Sequence, residues 1–275
     1  MGSHPMAPGG EEIEVEGRRL AWRTVGQGPP LLLINGYAAT GADWDPTFLA
    51  ALAEAFAVIC PDNRGVGGSD LGEGELTVDG MAADLEALLD AQAIERLPVV
   101  GWSMGGFIAQ RLATRSPDRV SALALLATDP GGSDAVAATP AAWSRLVDQS
   151  GTPREQASQL ISLLFPPELA AEIDRQFGEV VAAARATLSP ELLRAQEAVM
   201  EAWHEEAQPP DTAAEPPPVL IVHGDQDAVI PPANSQSLAA RWTNAQVELF
   251  PGCGHALMAQ EPQRIVALIR SLASG

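Results

Sequence analysis

Leu97-Pro98-Val99-Val100-Gly101-Trp102-Ser103-Met104-Gly105-Gly106-Phe107 is the stretch on which the reading of this chain turns. An apolar run, a serine flanked by glycines and a helix-forming segment follow one another without a spacer. The order reads as a strand over 97–101 that turns sharply into a helix over 104–115. Two backbones approach closely at such a turn, which calls for glycine on both sides of the serine. The turn points the Ser103 hydroxyl outward and leaves the Met104 N–H at a helix N-terminus, ready to bind a developing oxyanion. The letters G-x-S-x-G are a weak signal alone, since a glycine-rich turn with an incidental serine has them too. The strand before and the helix after give them weight.

Residues 11–15 and 19–25, joined by Glu16-Gly17-Arg18, read as a hairpin of two alternating strands. Continuous apolar runs follow at 31–34, 56–60, 97–101, 120–127, 219–222 and 247–250. Unbroken hydrophobicity is what strands buried on both faces show in a parallel sheet. Helical patterns lie between them. Val78, Met81, Leu85, Leu88 and Leu89 keep a 3–4 spacing over 77–92, with Thr77 as N-cap, and 104–115, 232–242 and 256–272 also read as helices. Strand–helix alternation predicts an α/β fold, a mostly parallel sheet with helices on both faces.

The alternation stops between about residues 130 and 217. Helices only are expected there, over 140–150, 152–165, 168–188 and 190–206, punctuated by Pro140, Pro153, Pro166-Pro167 and Pro190. The block ends in Gln208-Pro209-Pro210 and Glu215-Pro216-Pro217-Pro218, a stiff return linker. Because strands resume after it, the block is an insertion: a core over 11–130 and 217–275, and a helical part over 131–216. Its Trp143, Leu160, Leu163, Leu164, Phe165, Phe177 and Trp203 exceed what such short helices need among themselves. Most must face the sheet or line a cavity.

Composition narrows the chemistry. With 46% hydrophobic and 19% charged residues over 275 positions, the chain has the balance of a soluble globular protein. The net charge of −20 disfavours nucleic-acid and anionic-membrane partners. All the basic residues are arginine; the absence of lysine excludes a phosphate-loop lysine, a Schiff-base lysine and a kinase-type lysine together. Cys60 and Cys253 cannot build a disulfide framework. Cys60 belongs in the core, whereas the glycine-rich loop around Cys253 suggests partial exposure. No apolar run is long enough to span a bilayer, and no signal-peptide pattern is present, so a cytoplasmic location is expected. Met1-Gly2-Ser3-His4 resembles a vector-derived tail, with Met6 as the natural start.

A serine nucleophile needs a base, and the chain has four histidines. His4 lies in the tail and His204 near the end of an inserted helix. His223 and His255 both follow strands, as residues of a sheet active site do. His255 is favoured, because the loop Gly252-Cys253-Gly254 gives its ring freedom to reach Ser103; His223 suits a turn anchor. The base needs a carboxylate in turn. Asp225 and Asp227 follow the strand at 219–222 and Asp129 follows the strand at 120–127, and position alone does not choose among the three.

Ser103, an acid, then His255 is the chain order of the α/β-hydrolases, and from about residue 11 onward the sequence resembles that family. The resemblance extends to Asp62-Asn63-Arg64-Gly65-Val66-Gly67-Gly68-Ser69 after the fourth strand, Gly224-x-x-Asp227-x-x-x-Pro231, Gly254-His255, and a helical cap after the sixth strand. It implies an eight-stranded, mostly parallel sheet. It also implies Asp227 as the acid and Asp225 as a turn residue, although branches of the family place the acid at the position of Asp129. Asp62 and Arg64 take structural roles in this pattern. The family's second oxyanion donor follows the third strand, usually in a His-Gly pair. Here Asn35-Gly36-Tyr37 stands in its place, so the Tyr37 N–H joins that of Met104 as donor while the hydrogen bonding of the loop must differ. Gly36, Tyr37 and Trp102 are expected to border the substrate, Trp102 packing behind the turn.

The chemistry implied is acyl transfer to water from a small to medium, largely apolar ester or lactone, with no cofactor and no metal. A serine nucleophile argues against haloalkane dehalogenase and epoxide hydrolase chemistry, which use aspartate there. Carboxylesterases, enol-lactonases, methyl-ester esterases, C–C bond hydrolases and cofactor-free haloperoxidases or perhydrolases are the similar serine branches. A non-catalytic ligand-binding protein of the same fold is the rival from another class. The expected partner is a small-molecule substrate, and a homo-oligomer is compatible with the sequence.

Overall fold

The unbroken apolar runs form the middle of one eight-stranded sheet, in the order β1-β2-β4-β3-β5-β6-β7-β8. The computed structural model describes residues 10–208 and 216–274. The tail Met1–His4, Met6 and most of the proline-rich return linker therefore lie outside the described residues. The strands are β1 (Gly10–Val15), β2 (Arg18–Val25), β3 (Pro30–Ile34), β4 (Ala57–Pro61), β5 (Leu97–Trp102), β6 (Val120–Leu126), β7 (Val219–Gly224) and β8 (Ala245–Phe250). β1 and β2 run antiparallel, as do β2 and β4, and every later pairing is parallel.

The helices are α1 (Pro46–Ala53), α2 (Val78–Ala91), α3 (Met104–Arg115), α4 (Pro140–Leu146), α5 (Pro153–Leu164), α6 (Pro167–Arg185), α7 (Pro190–Glu205), α8 (Asn234–Arg241), α9 (Leu257–Gln260) and α10 (Pro262–Ala273). Successive strand residues point to opposite faces, so each central strand feeds two cores. Leu32 and Ile34 of β3 join Leu85 and Leu88 of α2 and Phe107 and Leu112 of α3. Leu31 and Leu33 join Phe48 and Leu52 of α1 and Ile265 and Ile269 of α10 on the other face. Both faces are covered, which is why the central strands read as continuous rather than alternating.

α4 to α7 form the helical insertion between β6 and β7. Each starts with proline at its first position, where the missing N–H costs nothing, and Thr139, Thr152 and Ser189 cap three of them by accepting a backbone N–H. Two elements depart from expectation. α1 is absent from the helices expected, because its apolar run has no polar face to reveal a helical period. The single helix expected over 256–272 is two, since Pro262 cannot continue α9 and instead starts α10. Cys60 is buried, and so is Cys253 at 3% exposure; the latter corrects the expectation of partial exposure.

Candidate active site

Ser103 links the end of β5 to the start of α3 with φ 55° and ψ −126°. A non-glycine residue held in this sparsely populated region stores strain of ~1–3 kcal/mol. Three hydrogen bonds fix it. The Ser103 N–H donates to the Leu126 carbonyl at 3.0 Å, and the Ser103 carbonyl accepts from the Gly106 N–H and the Thr128 hydroxyl, both at 2.8 Å. The glycine requirement is steric: a Cβ on Gly105 would lie 2.3 Å from the Ile34 carbonyl oxygen.

Gly36 meets Ser103 from the loop after β3, so closely that a Cβ there would sit 3.1 Å from Ser103 Cβ and 3.2 Å from the Trp102 ring. Asn35 organises this loop. Its Oδ1 accepts from the Gly36 N–H at 2.9 Å, its Nδ2 donates to the Thr40 carbonyl at 2.7 Å, and its own carbonyl accepts from Asn63 Nδ2 at 2.9 Å. The side chain that departs from the family pattern thus braces the turn from within. The N–H groups of Tyr37 and Met104 donate to no acceptor among the described residues, and both residues belong to segments that meet at Ser103.

Asp227, 7% exposed, follows β7 in a turn that its own carboxylate ties. Oδ1 accepts from the N–H groups of Val229 at 2.8 Å and Ile230 at 2.9 Å. Oδ2 lies 2.8 Å from His255 Nδ1 and 3.2 Å from His223 Nε2. His223 Nε2 is also 2.9 Å from the Ile230 carbonyl, which can only accept, so this nitrogen carries the hydrogen. Burial alone would raise the Asp227 pKa. The charge of His255 and hydrogen bonds from His223 and His255 outweigh burial and hold the carboxyl below the usual carboxylate range.

His223 is therefore a support for Asp227 as well as a turn anchor. Asp129, the alternative acid, is committed elsewhere: Oδ1 accepts from Trp203 Nε1 at 3.1 Å and the Gly131 N–H at 2.9 Å, and Oδ2 lies 3.1 Å from His204 Nε2. Burial depresses the His204 pKa, but its hydrogen bond and attraction to Asp129 dominate, and the net shift is upward. Asp225 ties the neighbouring turn, accepting from the Gly252 N–H at 2.7 Å.

Ser103, Trp102, Tyr37 and His255 line one cavity of about 700 Å³, whose wall is completed by residues of the helical insertion. Trp102 both packs beside the turn and faces this space; its Nε1 donates to the His255 carbonyl at 2.9 Å, with ring centroids 5.2 Å apart. Trp143, Leu160, Leu164, Phe165 and Phe177 line the cavity, whereas Leu163 and Trp203 are buried in the core. Asp62 accepts from the N–H groups of Gly41 and Gly68, and Arg64 pairs with Asp84, so both hold loops. Among the described residues no cluster of three or more His, Cys, Asp or Glu side chains could hold a metal ion, and no helix is long and apolar enough to cross a membrane.

Sequence reading does not reveal the approach of Asp129 to His204 or the presence of Arg185 on the cavity wall. Neither has a local signal; the first joins residues 75 positions apart, and the second depends on how α6 lies over the sheet.

Residues 29–262 match a family model described as the alpha/beta hydrolase fold. The chain is 28% identical over 94% of its length to a 2-hydroxymuconate semialdehyde hydrolase from Pseudomonas sp. (strain CF600), covering 92% of that protein. It is 27% identical over 90% of its length to a pimeloyl-[acyl-carrier protein] methyl ester esterase from Nitrosomonas europaea, covering 97% of it. Among solved structures, a hydrolase from Pseudomonas aeruginosa superposes with a TM-score of 0.82 at 28% identity, over 98% of this chain and 100% of that one.

Proposed function

The chain belongs to the alpha/beta-hydrolase fold family, and we propose on that footing that it hydrolyses small to medium, largely apolar carboxylic esters or lactones through an acyl-enzyme on Ser103. The observation that carries this reading is the 2.8 Å contact between Asp227 Oδ2 and His255 Nδ1, beside a serine held on a strained strand-to-helix turn and facing the same cavity. In this reading 131–216 form the cap, and 11–130 with 217–275 form the core.

Asp227 remains ionised and fixes the hydrogen of His255 on Nδ1, which leaves Nε2 as the basic nitrogen. His255 takes the Ser103 proton as Oγ bonds to the ester carbonyl carbon. The carbonyl electrons move onto oxygen, where the N–H groups of Tyr37 and Met104 stabilise the charge by ~3 kcal/mol per donor. Collapse of the tetrahedral intermediate breaks the bond to the leaving alkoxide, which His255 protonates. Water then gives a proton to His255 as it attacks the acyl carbon; collapse of this second tetrahedral intermediate breaks the bond to Oγ, which takes the proton back from His255, releasing the acid and restoring Ser103. Gly36, Tyr37 and Trp102 border the bound acyl group.

The apolar wall contributed by the cap supports an alkyl or acyl chain as the ligand body. The pimeloyl methyl ester esterase is consistent with ester cleavage. The likeness to a 2-hydroxymuconate semialdehyde hydrolase favours a second reading, in which the same residues cleave a C–C bond beside a carbonyl. We place the enzyme in the cytoplasm, acting on small molecules and not on nucleic acid or membranes. A panel of p-nitrophenyl esters, lactones and a vinylogous C–C substrate, with a peroxide-dependent bromination assay, tests the assignment. Ester or lactone turnover is the expected result; turnover of the C–C substrate alone, or bromination alone, would replace it.

A further inference from the structure

Arg185 is the last residue of α6, lines the cavity shared by Ser103 and His255, and is only 8% exposed. Its Nε and Nη1 are buried and have no hydrogen-bond partner among the described residues. The guanidinium also approaches the Tyr37 hydroxyl. It keeps its charge across the physiological pH range, so burying its Nε and Nη1 donors without acceptors is unfavourable. Such a group is explained when the missing acceptor arrives with a ligand.

The other charged groups on the cavity wall are already engaged. Asp43 accepts from the Thr40 N–H and hydroxyl, and Asp45 accepts from the Phe48 N–H as the cap of α1. Asp129 and His204 are paired with each other. Glu197, which does not line the cavity, accepts at Oε1 from the Tyr37 hydroxyl at 2.8 Å and Gln149 Nε2 at 3.1 Å. The Tyr37 hydroxyl registers the guanidinium: burial and Glu197 raise its pKa, and the charge and approach of Arg185 oppose them. Arg185 thus stands close to the loop that carries the Tyr37 N–H toward Ser103.

We propose that Arg185 is the anchor for a carboxylate on the substrate, so that the ligand is a half-ester of a dicarboxylic acid, or a lactone bearing a carboxylate. The apolar body lies against the cap, the ester carbonyl reaches Ser103, and the carboxylate accepts from Arg185. A carboxylate fits better than a phosphate dianion, because the described wall offers one guanidinium and not a cluster of cations. The assignment rests on the proposed ester hydrolysis at Ser103 for its orientation, while the anchoring itself is a statement about binding.

The experiment compares monomethyl succinate, adipate and suberate with methyl butyrate, hexanoate and octanoate, matched in acyl length. Hydrolysis is followed in a pH-stat for the unsubstituted chain, Arg185→Gln and Arg185→Lys. Binding of monomethyl adipate and dimethyl adipate to Ser103→Ala, with and without Arg185→Gln, is measured by calorimetry. At the best length the half-ester should exceed its neutral partner by about tenfold or more in kcat/KM. Arg185→Gln should bring that ratio to about one, mainly through KM, with Arg185→Lys between. Equal handling of both ester series at every length by the unsubstituted chain overturns the proposal, as does an equal loss on both series in Arg185→Gln. Were no ester cleaved at all, the reading of Ser103 would fall, yet the calorimetry would still decide the anchor. Preference of Ser103→Ala for the half-ester, lost with Arg185→Gln, supports it, and no preference refutes it. Should Arg185→Gln fail to fold, Arg185→Lys and the unsubstituted chain's own ratio decide between the two outcomes.

Discussion

Asp227 and His255 are joined by a 2.8 Å contact between Oδ2 and Nδ1, although they stand 28 positions apart in sequence. The second carboxylate at a strand end, Asp129, faces His204 instead. Among the described residues, two aspartates thus meet histidines, Asp227 with His255 and His223 and Asp129 with His204, and only Asp227 touches the histidine proposed to activate Ser103. Asp227→Asn should lower kcat for p-nitrophenyl acetate by ~10⁴-fold, because the amide favours the wrong tautomer of His255. Asp129→Asn should lower it by less than ~10-fold, as expected for a residue outside the acid–base chain. A larger loss in Asp129→Asn would move the acid to the end of β6.

His223 and His255 share Asp227 Oδ2, but only His255 sits on the cavity wall. His255→Ala should therefore remove turnover by ~10⁴-fold or more. His223→Ala should leave turnover measurable while costing ~1–3 kcal/mol of stability, since it strips the Ile230 carbonyl and Asp227 of a buried donor. Urea unfolding beside steady-state kinetics separates the two effects, and the reverse pattern would exchange the roles.

The backbone at Ser103 carries strain that glycine would not. Ser103→Gly should abolish turnover and yet raise stability by ~1 kcal/mol, after the greater unfolded-state entropy of glycine is set against the relieved φ of 55°. A thermal melt should move up by ~2 °C or more. An unchanged or lower melting temperature would mean that the turn is not strained.

The two pairs also differ in the sign of their pH dependence. His204 is raised in the folded chain, so its pairing stabilises fully below its unfolded pKa of ~6.5 and is lost as pH climbs through the folded value. His204→Gln should accordingly destabilise more at about pH 5.5 than at about pH 9. Asp227 is lowered, so its contribution is present above the unfolded pKa of ~3.9 and disappears as pH falls through its folded value. Urea midpoints across pH test both, and a His204→Gln penalty that grew with pH would contradict the first.

The sheet and the strand-to-helix turn are legible in the sequence because they obey local rules. Leu31 to Ile34 alternate between two covered faces, so four apolar residues in a row mark a buried strand. Ser103 is legible because glycine spacing follows from backbone contact at the turn. α1 escapes because Phe48, Leu49, Ala51 and Leu52 are all buried, leaving no polar face to set a period; the Asp45-Pro46 cap is the signal available. The pairing of Asp129 with His204 and the burial of Arg185 arise where the cap meets the sheet. Such contacts join distant parts of the chain and leave no periodic trace in either. The departure at Asn35 is visible, but its role is not, since that depends on where the Thr40 carbonyl and Asn63 lie.

Covalent labelling of Ser103 tests its role as the nucleophile. A fluorophosphonate should modify the folded chain stoichiometrically at Ser103, identified by peptide mass spectrometry, with labelling absent in Ser103→Ala and slowed by ~10³-fold or more in His255→Ala. Pure, folded protein that takes up no label, or that is labelled equally well after Ser103→Ala, would contradict the assignment of Ser103 as the nucleophile.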